Sequence, residues 1–218
     1  MTARRDLDMA DTKGAVPVAH APAPIRNVVL VGPTGSGKTT LVEHMLFAAG
    51  AISRIGRVED GNTVCDVDPA AARQHRSVGL AVASIAWSDL VVNLIDTPGY
   101  ADYAGEMRAG LRAADAALFV VSAVDGIDEA TKHLWDECEA VGMPRAIVVT
   151  KMDKDRADFD ETVAVCHRIF AGGGGVLPLY LPIYGEASGI VGLIDLLTTQ
   201  IHDYTSGSRI ARVSEERH

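Results

Sequence analysis

Val28-Val29-Leu30-Val31 runs without a polar residue into Gly32-Pro33-Thr34-Gly35-Ser36-Gly37-Lys38-Thr39-Thr40, and this passage constrains what the chain can fold into more than any other. It fits the pattern G-x-x-x-x-G-K-[ST], in which glycines let backbone N–H groups converge on anionic oxygens. Such a loop needs a buried strand before it and a helix after it, because the helix N-terminus supplies further donors and a partial positive charge. Leu41, Met45 and Ala48 fall on one stripe of that expected helix. Lys38 would bring a cation to the phosphates and to the charge of the transition state, and Thr39 a hydroxyl to a magnesium ion. The chain is therefore expected to bind a nucleoside triphosphate.

The rest of the chain repeats the same alternation. Short apolar blocks recur at Val28 to Val31, Val91 to Ile95, Ala116 to Val121 and Ala146 to Val149, as strands buried on both faces do. Between them lie helical stretches at Lys38 to Ala49, Tyr103 to Ala113, Asp128 to Val141 and Asp158 to Phe170, long enough to serve as crossovers. The pattern predicts an α/β fold of the P-loop NTPase class, a doubly wound, mostly parallel sheet with flanking helices. Val78 to Trp87 reads as a further strand that pairs antiparallel with its successor through Ser88-Asp89.

Residues 1–24, rich in alanine, proline and charge, read as a disordered leader. Residues 25–171 form the expected nucleotide-binding core. Residues 172–218 open with Gly172-Gly173-Gly174-Gly175, a flexible joint, and continue through Val176 to Ile183 and Gly189 to Leu197 as the start of a small inserted subdomain. The polar tail Ser206 to His218 shows no obvious means of closing that subdomain.

With 218 residues, 48% of them hydrophobic, the chain can bury one good core and begin a second. A formal charge of -9 argues against sequence-specific nucleic-acid binding over a basic surface. Cys65, Cys138 and Cys166 are odd in number and widely spaced, which suits reduced thiols. No apolar run approaches the ~18 residues of a membrane helix, and no secretion signal opens the chain. A cytoplasmic monomer without membrane contact is expected.

Two further segments fit a nucleotide site. Asp96-Thr97-Pro98-Gly99 follows the strand at Val91 to Ile95, where a carboxylate would hold the water shell of Mg2+ and the Gly99 N–H would face the γ-phosphate. Thr39 and Asp96 are the candidate metal residues. Thr150-Lys151-Met152-Asp153 follows the strand at Ala146 to Val149, where the carboxyl ends of strands form the ligand crevice. A carboxylate at Asp153 can accept two N–H bonds from guanine, whereas adenine offers no such pair, so GTP or GDP should outcompete ATP. Lys151 would lay its stem along the purine and brace the phosphate loop.

Gly32 to Thr40, Asp96 to Gly99 and Thr150 to Asp153 together resemble the G domain of the translational GTPases, and of elongation factor G in particular. Asp96-Thr-Pro-Gly-Tyr-Ala-Asp-Tyr, Val124-Asp-Gly-Ile, Pro144-Arg-Ala-Ile-Val-Val-Thr-Lys-Met-Asp, Ala157-Asp-Phe and Leu181-Pro-Ile-Tyr-Gly-Glu extend the likeness in order over roughly residues 25–197. The resemblance implies GTP and GDP as ligands, Mg2+ as cofactor, the ribosome as partner and GTP hydrolysis as activity.

Four departures bear on that implication. The family's histidine that positions the attacking water is replaced by Tyr100, and a phenol cannot become the cation that imidazole offers near neutrality. The family's first switch ends Arg-Gly-Ile-Thr-Ile, and the aligned run is Arg76-Ser77-Val78-Gly79-Leu80, so Gly79 stands where a threonine hydroxyl meets magnesium; an alignment shifted by a residue or two, or a neighbouring hydroxyl such as Ser77 in its place, is the alternative. Thr150 replaces an asparagine, a mild change. The family's later Ser-Ala-x-Lys segment has no match, as expected of a truncated or paralogous member. Loss of a general acid–base group commonly costs ~10²-fold to 10⁴-fold in rate. Two readings remain: a GTPase of the translation-factor type, or a guanine-nucleotide-binding module with little turnover. An ATP-using P-loop protein is a third, opposed by Asp153.

Overall fold

The computed structural model describes residues 21–66, 68, 77–170, 175–185, 189–207 and 211–214. The expected leader up to residue 20, Arg76, Gly172 to Gly174 and the ends of the polar tail lie outside the described residues. By compactness the chain divides into two units, Met1–Val121 with Ile127–Val148 and Ser122–Gly126 with Val149–His218.

The first unit is built on the five-stranded sheet β1 (Ile25–Val31), β2 (Ala81–Trp87), β3 (Leu90–Asp96), β4 (Ala116–Ser122) and β5 (Arg145–Thr150), in the order β2-β3-β1-β4-β5. The last residues of β4 and β5 count with the second unit. β1 runs parallel to both β3 and β4, with Leu30 opposite Asp96 on one side and Leu118 on the other. Only β2 on the edge is antiparallel among the pairings described, in register from Ala81 opposite Asp96 to Trp87 opposite Leu90.

The hairpin expected from sequence is therefore present, with Ser88 and Asp89 as its loop. Ser88 takes φ 54, which supplies the left-handed step that a turn lacking Asn-Gly or Asp-Gly otherwise misses. β2 starts at Ala81 rather than Val78, because its ladder partner ends at Asp96.

Helices α1 (Lys38–Ala48), α2 (Ala104–Ala113) and α3 (Glu129–Ala140) flank this sheet. Val29 and Leu30 are adjacent on β1, so they face opposite sides. Leu30 packs in a cluster with Val42 and Leu46 of α1, Leu94 of β3 and Ile85 of β2. A Cβ placed at Gly110 of α2 would lie 3.0 Å from Val29 Cγ2 and 3.1 Å from Thr97 Cγ2, so α2 sits close on the other face. On α3, Trp135 meets Phe119 of β4 edge to face at 4.9 Å between centroids, with the Arg145 guanidinium 4.4 Å from the Trp135 ring. Helices on both faces of a mostly parallel sheet make this the doubly wound α/β architecture.

One helical stripe is displaced from expectation. α1 buries Lys38, Thr39, Val42, Glu43 and Leu46, whereas Leu41 and Met45 are partly buried and Ala48 is exposed. A buried carboxylate at Glu43 rotates the inward face by one position.

The second unit carries α4 (Phe159–Phe170) and a four-stranded antiparallel sheet, β6 (Tyr180–Tyr184), β7 (Ile190–Asp195), β8 (Ile201–Asp203) and β9 (Arg212–Ser214), in chain order. The Asp158 carboxylate accepts from the Glu161 N–H at 2.8 Å at the head of α4, and Thr162, Cys166 and Phe170 form its buried stripe. The polar tail does close the small sheet: Arg212–Ser214 pairs with Asp203–Ile201. Period alone could not reveal a three-residue strand whose partner is equally short.

Candidate functional site

The loop after β1 has the shape its glycines require. Gly32 takes φ 148, and a Cβ there would collide with the Val120 carbonyl oxygen, so β4 and the loop can approach only at glycine. Gly35 and Gly37 also have positive φ, and Gly37 caps α1 without any side-chain bond to the helix N-terminus. The first turn of α1 holds no acidic residue, so its field is left to an external anion. Pro33 is half-buried, Thr34 and Gly35 are exposed, Ser36 is buried and Thr40 is exposed.

Lys38 is buried, and its Nζ donates to the Gly32 and Pro33 carbonyls, both at 2.9 Å. Burial lowers its pKa to about 8, against the opposing pull of Asp96 and Asp128. Thr39 Oγ1 donates to Asp96 Oδ2 at 2.6 Å and lies 3.1 Å from Ser77 Oγ. Asp96 is 1% exposed, and its Oδ1 has no hydrogen-bond partner among the described residues. Burial pushes its pKa up to about 6, with Thr39 and Lys38 opposing and Asp66 adding to the rise. A buried carboxylate with one idle oxygen next to two hydroxyls suits a hard divalent cation, so these residues fit Mg2+.

Thr97 and Pro98 are buried, and Thr97 Oγ1 donates to the Leu30 carbonyl at 2.6 Å, fastening the end of β3 to β1. At Gly99 a Cβ would stand 2.5 Å from Lys38 Nζ and 2.6 Å from the Thr34 nitrogen. The second candidate segment thus lies directly against the phosphate loop. Tyr100 comes next, exposed, with its carbonyl accepting from the Tyr103 N–H at 2.9 Å.

Thr150, Lys151 and Asp153 belong to the second unit. The Thr150 carbonyl accepts from the Ala123 N–H at 3.0 Å, and Lys151 holds φ 58 as the chain turns. Lys151 Nζ donates to Asp125 Oδ2, which also accepts from Ser122 Oγ at 2.7 Å. These two bonds, the lysine's first, hold the Asp125 carboxyl below its usual range. Asp153 is exposed, 3.5 Å from Lys154 Nζ.

Sequence reasoning did not assign Asp125 or Asp128 a role, and it gave Glu43 none either. Glu43 is 1% exposed and accepts from the Gly56 and Val64 N–H groups at 2.7 and 2.5 Å. The stripe expected from sequence, Leu41, Met45 and Ala48, left Glu43 off the core face and so gave no signal for it.

Residues 23–213 match the elongation factor Tu GTP binding domain. The chain belongs to this family. It is 56% identical over 202 residues to an elongation factor G-like protein of Mycobacterium tuberculosis, a match covering 93% of this chain and 27% of that protein. A mitochondrial ribosome-releasing factor 2 of Debaryomyces hansenii is 38% identical over 138 residues, 63% of this chain and 16% of that protein. A solved crystal structure from Thermus thermophilus superposes with a TM-score of 0.80 at 41% identity, covering 89% of this chain and 28% of its own. This family member therefore spans 27% of the length of the first curated relatives it matches. Family and fold together make it a translation-factor-type GTP-binding protein, as the resemblance implied. Among the described residues, no helix is long and apolar enough to cross a membrane.

Proposed function

We propose that the chain binds GTP and GDP with Mg2+ and acts as the G domain of a ribosome-associated factor, with residues 25–171 as its nucleotide-binding core. The observation that carries this reading is the Lys38, Thr39, Asp96 and Gly99 constellation, in which a cationic loop and a cation-ready carboxylate sit in contact. Names that refer to elongation and ribosome release among its relatives support the choice of partner.

In this reading the glycines and the head of α1 bind the phosphates and Lys38 neutralises their charge. Burial of Lys38 strengthens that role, because an ammonium poorly compensated by water gains more from an anion. Thr39 and Asp96 would hold Mg2+, which supplies charge neutralisation of the phosphate oxygens when bound. Asp153 reads guanine, while Thr150 and Lys151 shape the base side. Hydrolysis is slow, since Tyr100 offers a phenol where an imidazole would orient water.

Equilibrium binding of a fluorescent GDP in Mg2+, competed by GTP and by ATP, tests the reading. Displacement by GTP but not ATP, lost in Asp153→Ala, is the expected result. Absence of saturable binding by a folded sample would refute it. GTP turnover on ribosomes, compared with Tyr100→His, then separates a working GTPase from a binding module.

A further inference from the structure

The bonds around Thr39 have a fixed direction. Thr39 carries one hydroxyl proton, and the 2.6 Å contact to Asp96 Oδ2 uses it, because a carboxylate oxygen accepts. The 3.1 Å contact with Ser77 Oγ must then run the other way, with Ser77 donating to Thr39. The resulting chain, Ser77 to Thr39 to Asp96, commits both hydroxyl protons inward. Among the described residues it leaves the Ser77 lone pairs, one Thr39 lone pair and Asp96 Oδ1 available, and Asp96 Oδ1 is buried.

Position 79 does not take part in this cluster. Gly79 is exposed, and a Cβ placed on it would meet no atom within 4 Å. An added hydroxyl there would start from open space, whereas the Ser77 hydroxyl already touches Thr39.

We propose that Ser77 supplies the second hydroxyl oxygen of a divalent-cation site formed with Thr39 and Asp96, so that the first switch reaches the metal through residue 77 rather than residue 79. This inference rests on the nucleotide and Mg2+ reading above. Hard oxygen donors, one carboxylate and two neutral hydroxyls, are the set a small divalent ion accepts while keeping waters and phosphate oxygens in its other positions. Neutral hydroxyls tune the site without adding negative charge next to phosphates. The same contact ties Ser77 to the head of α1.

The experiment measures affinity for a non-hydrolysable GTP analogue across a Mg2+ titration, with an EDTA reference, in the full chain and in Ser77→Ala, Ser77→Thr and Ser77→Ala combined with Gly79→Thr. Circular dichroism confirms that each variant is folded. Ser77→Ala should raise the half-saturating Mg2+ concentration by about tenfold and leave affinity in EDTA unchanged, the loss expected when a supporting ligand is removed. Ser77→Thr, which keeps the hydroxyl, should stay within about twofold of the parent. The linewidth of bound Mn2+ in electron paramagnetic resonance should narrow or broaden with Ser77→Ala and not with Ser77→Thr.

An unchanged Mg2+ midpoint and Mn2+ spectrum in Ser77→Ala would overturn the inference and leave the nucleotide reading standing. Rescue of Ser77→Ala by Gly79→Thr would support it, because a hydroxyl restored nearby can replace only a hydroxyl that was lost. If the parent chain binds no nucleotide at any Mg2+ concentration, the nucleotide reading itself fails and the inference falls with it.

Discussion

Replacing Glu43 tests how the segment after α1 is held to that helix. Its carboxylate is 1% exposed and bonds two backbone N–H groups, Gly56 at 2.7 Å and Val64 at 2.5 Å, so it closes the segment after α1 back onto the helix. Each hydrogen bond to a charged group contributes ~1.5–3 kcal/mol, but the two donors differ in how water can compensate them once the carboxylate is gone. Gly56 is buried and would keep an unsatisfied N–H, costing ~1–3 kcal/mol. Val64 is 44% exposed and its bond to Glu43 is only part-buried, so the net loss there is smaller, ~1 kcal/mol. With the vacated side-chain volume, Glu43→Ala should destabilise the first unit by ~3–5 kcal/mol. Glu43→Gln keeps one carbonyl acceptor and turns an amide NH2 toward the other donor, for ~1.5–3 kcal/mol.

Urea unfolding followed by tryptophan fluorescence gives the stability change, since Trp87 and Trp135 both lie in the first unit. Hydrogen exchange resolved to single residues should show Gly56 and Val64 losing protection ahead of Leu30 and Val31. A loss under ~1 kcal/mol in Glu43→Ala, with unchanged exchange at those two amides, would refute the claim that this carboxylate holds the segment.

Gly99→Ala forces a Cβ to within 2.5 Å of Lys38 Nζ and 2.6 Å of the Thr34 nitrogen, so fluorescent GDP should bind at least tenfold more weakly while circular dichroism stays native. Retained affinity would show that the loop yields at no cost. Leu94 is fully buried in the cluster between β3 and α1, and Leu94→Ala should cost ~2–5 kcal/mol in urea unfolding. The Asp125 carboxyl has a lowered pKa, so its contribution is complete above the ordinary carboxylate range and is lost as pH falls through the lowered value. The stability gap between the parent and Asp125→Asn should therefore be widest near neutrality and shrink in acid; a gap that grows as pH falls would contradict the Lys151 pairing.

How much of the fold and site was legible in the sequence depends on the distance over which each constraint acts. The loop after β1 was readable because Gly32 and Gly37 answer local backbone demands, φ 148 and 95, between a continuous apolar strand and a helix. The parallel core was readable for a similar reason: continuous apolar blocks become strands wherever both faces are covered. The displaced stripe of α1 was not, because Glu43 breaks the apolar period in order to reach N–H groups 13 and 21 residues away. Strand β9 escaped notice because Arg212, Val213 and Ser214 gain their conformation from β8, not from their own alternation.

The first switch shows the same limit in the chemistry. Along the chain, Gly79 registers as a hydroxyl removed from a metal site, and Ser77 only as a neighbouring hydroxyl with no fixed place. In the fold, Ser77 Oγ stands 3.1 Å from Thr39 Oγ1 across a separation of 38 residues, and the proton on Thr39 is already given to Asp96. On the proposed assignment the oxygen count around the candidate metal is preserved although its order in the sequence has changed. A substitution at a ligand position is a loss of function only if no neighbouring side chain takes over the contact, and on the proposed assignment Ser77 does so. Tyr100 differs in kind. What an imidazole brings to water activation is a proton-accepting nitrogen that titrates near neutrality, and relocating a hydroxyl cannot reproduce it. The proposed function therefore treats nucleotide binding and rapid turnover as separable, the first resting on the contacts around Thr39 and the second on what stands at residue 100.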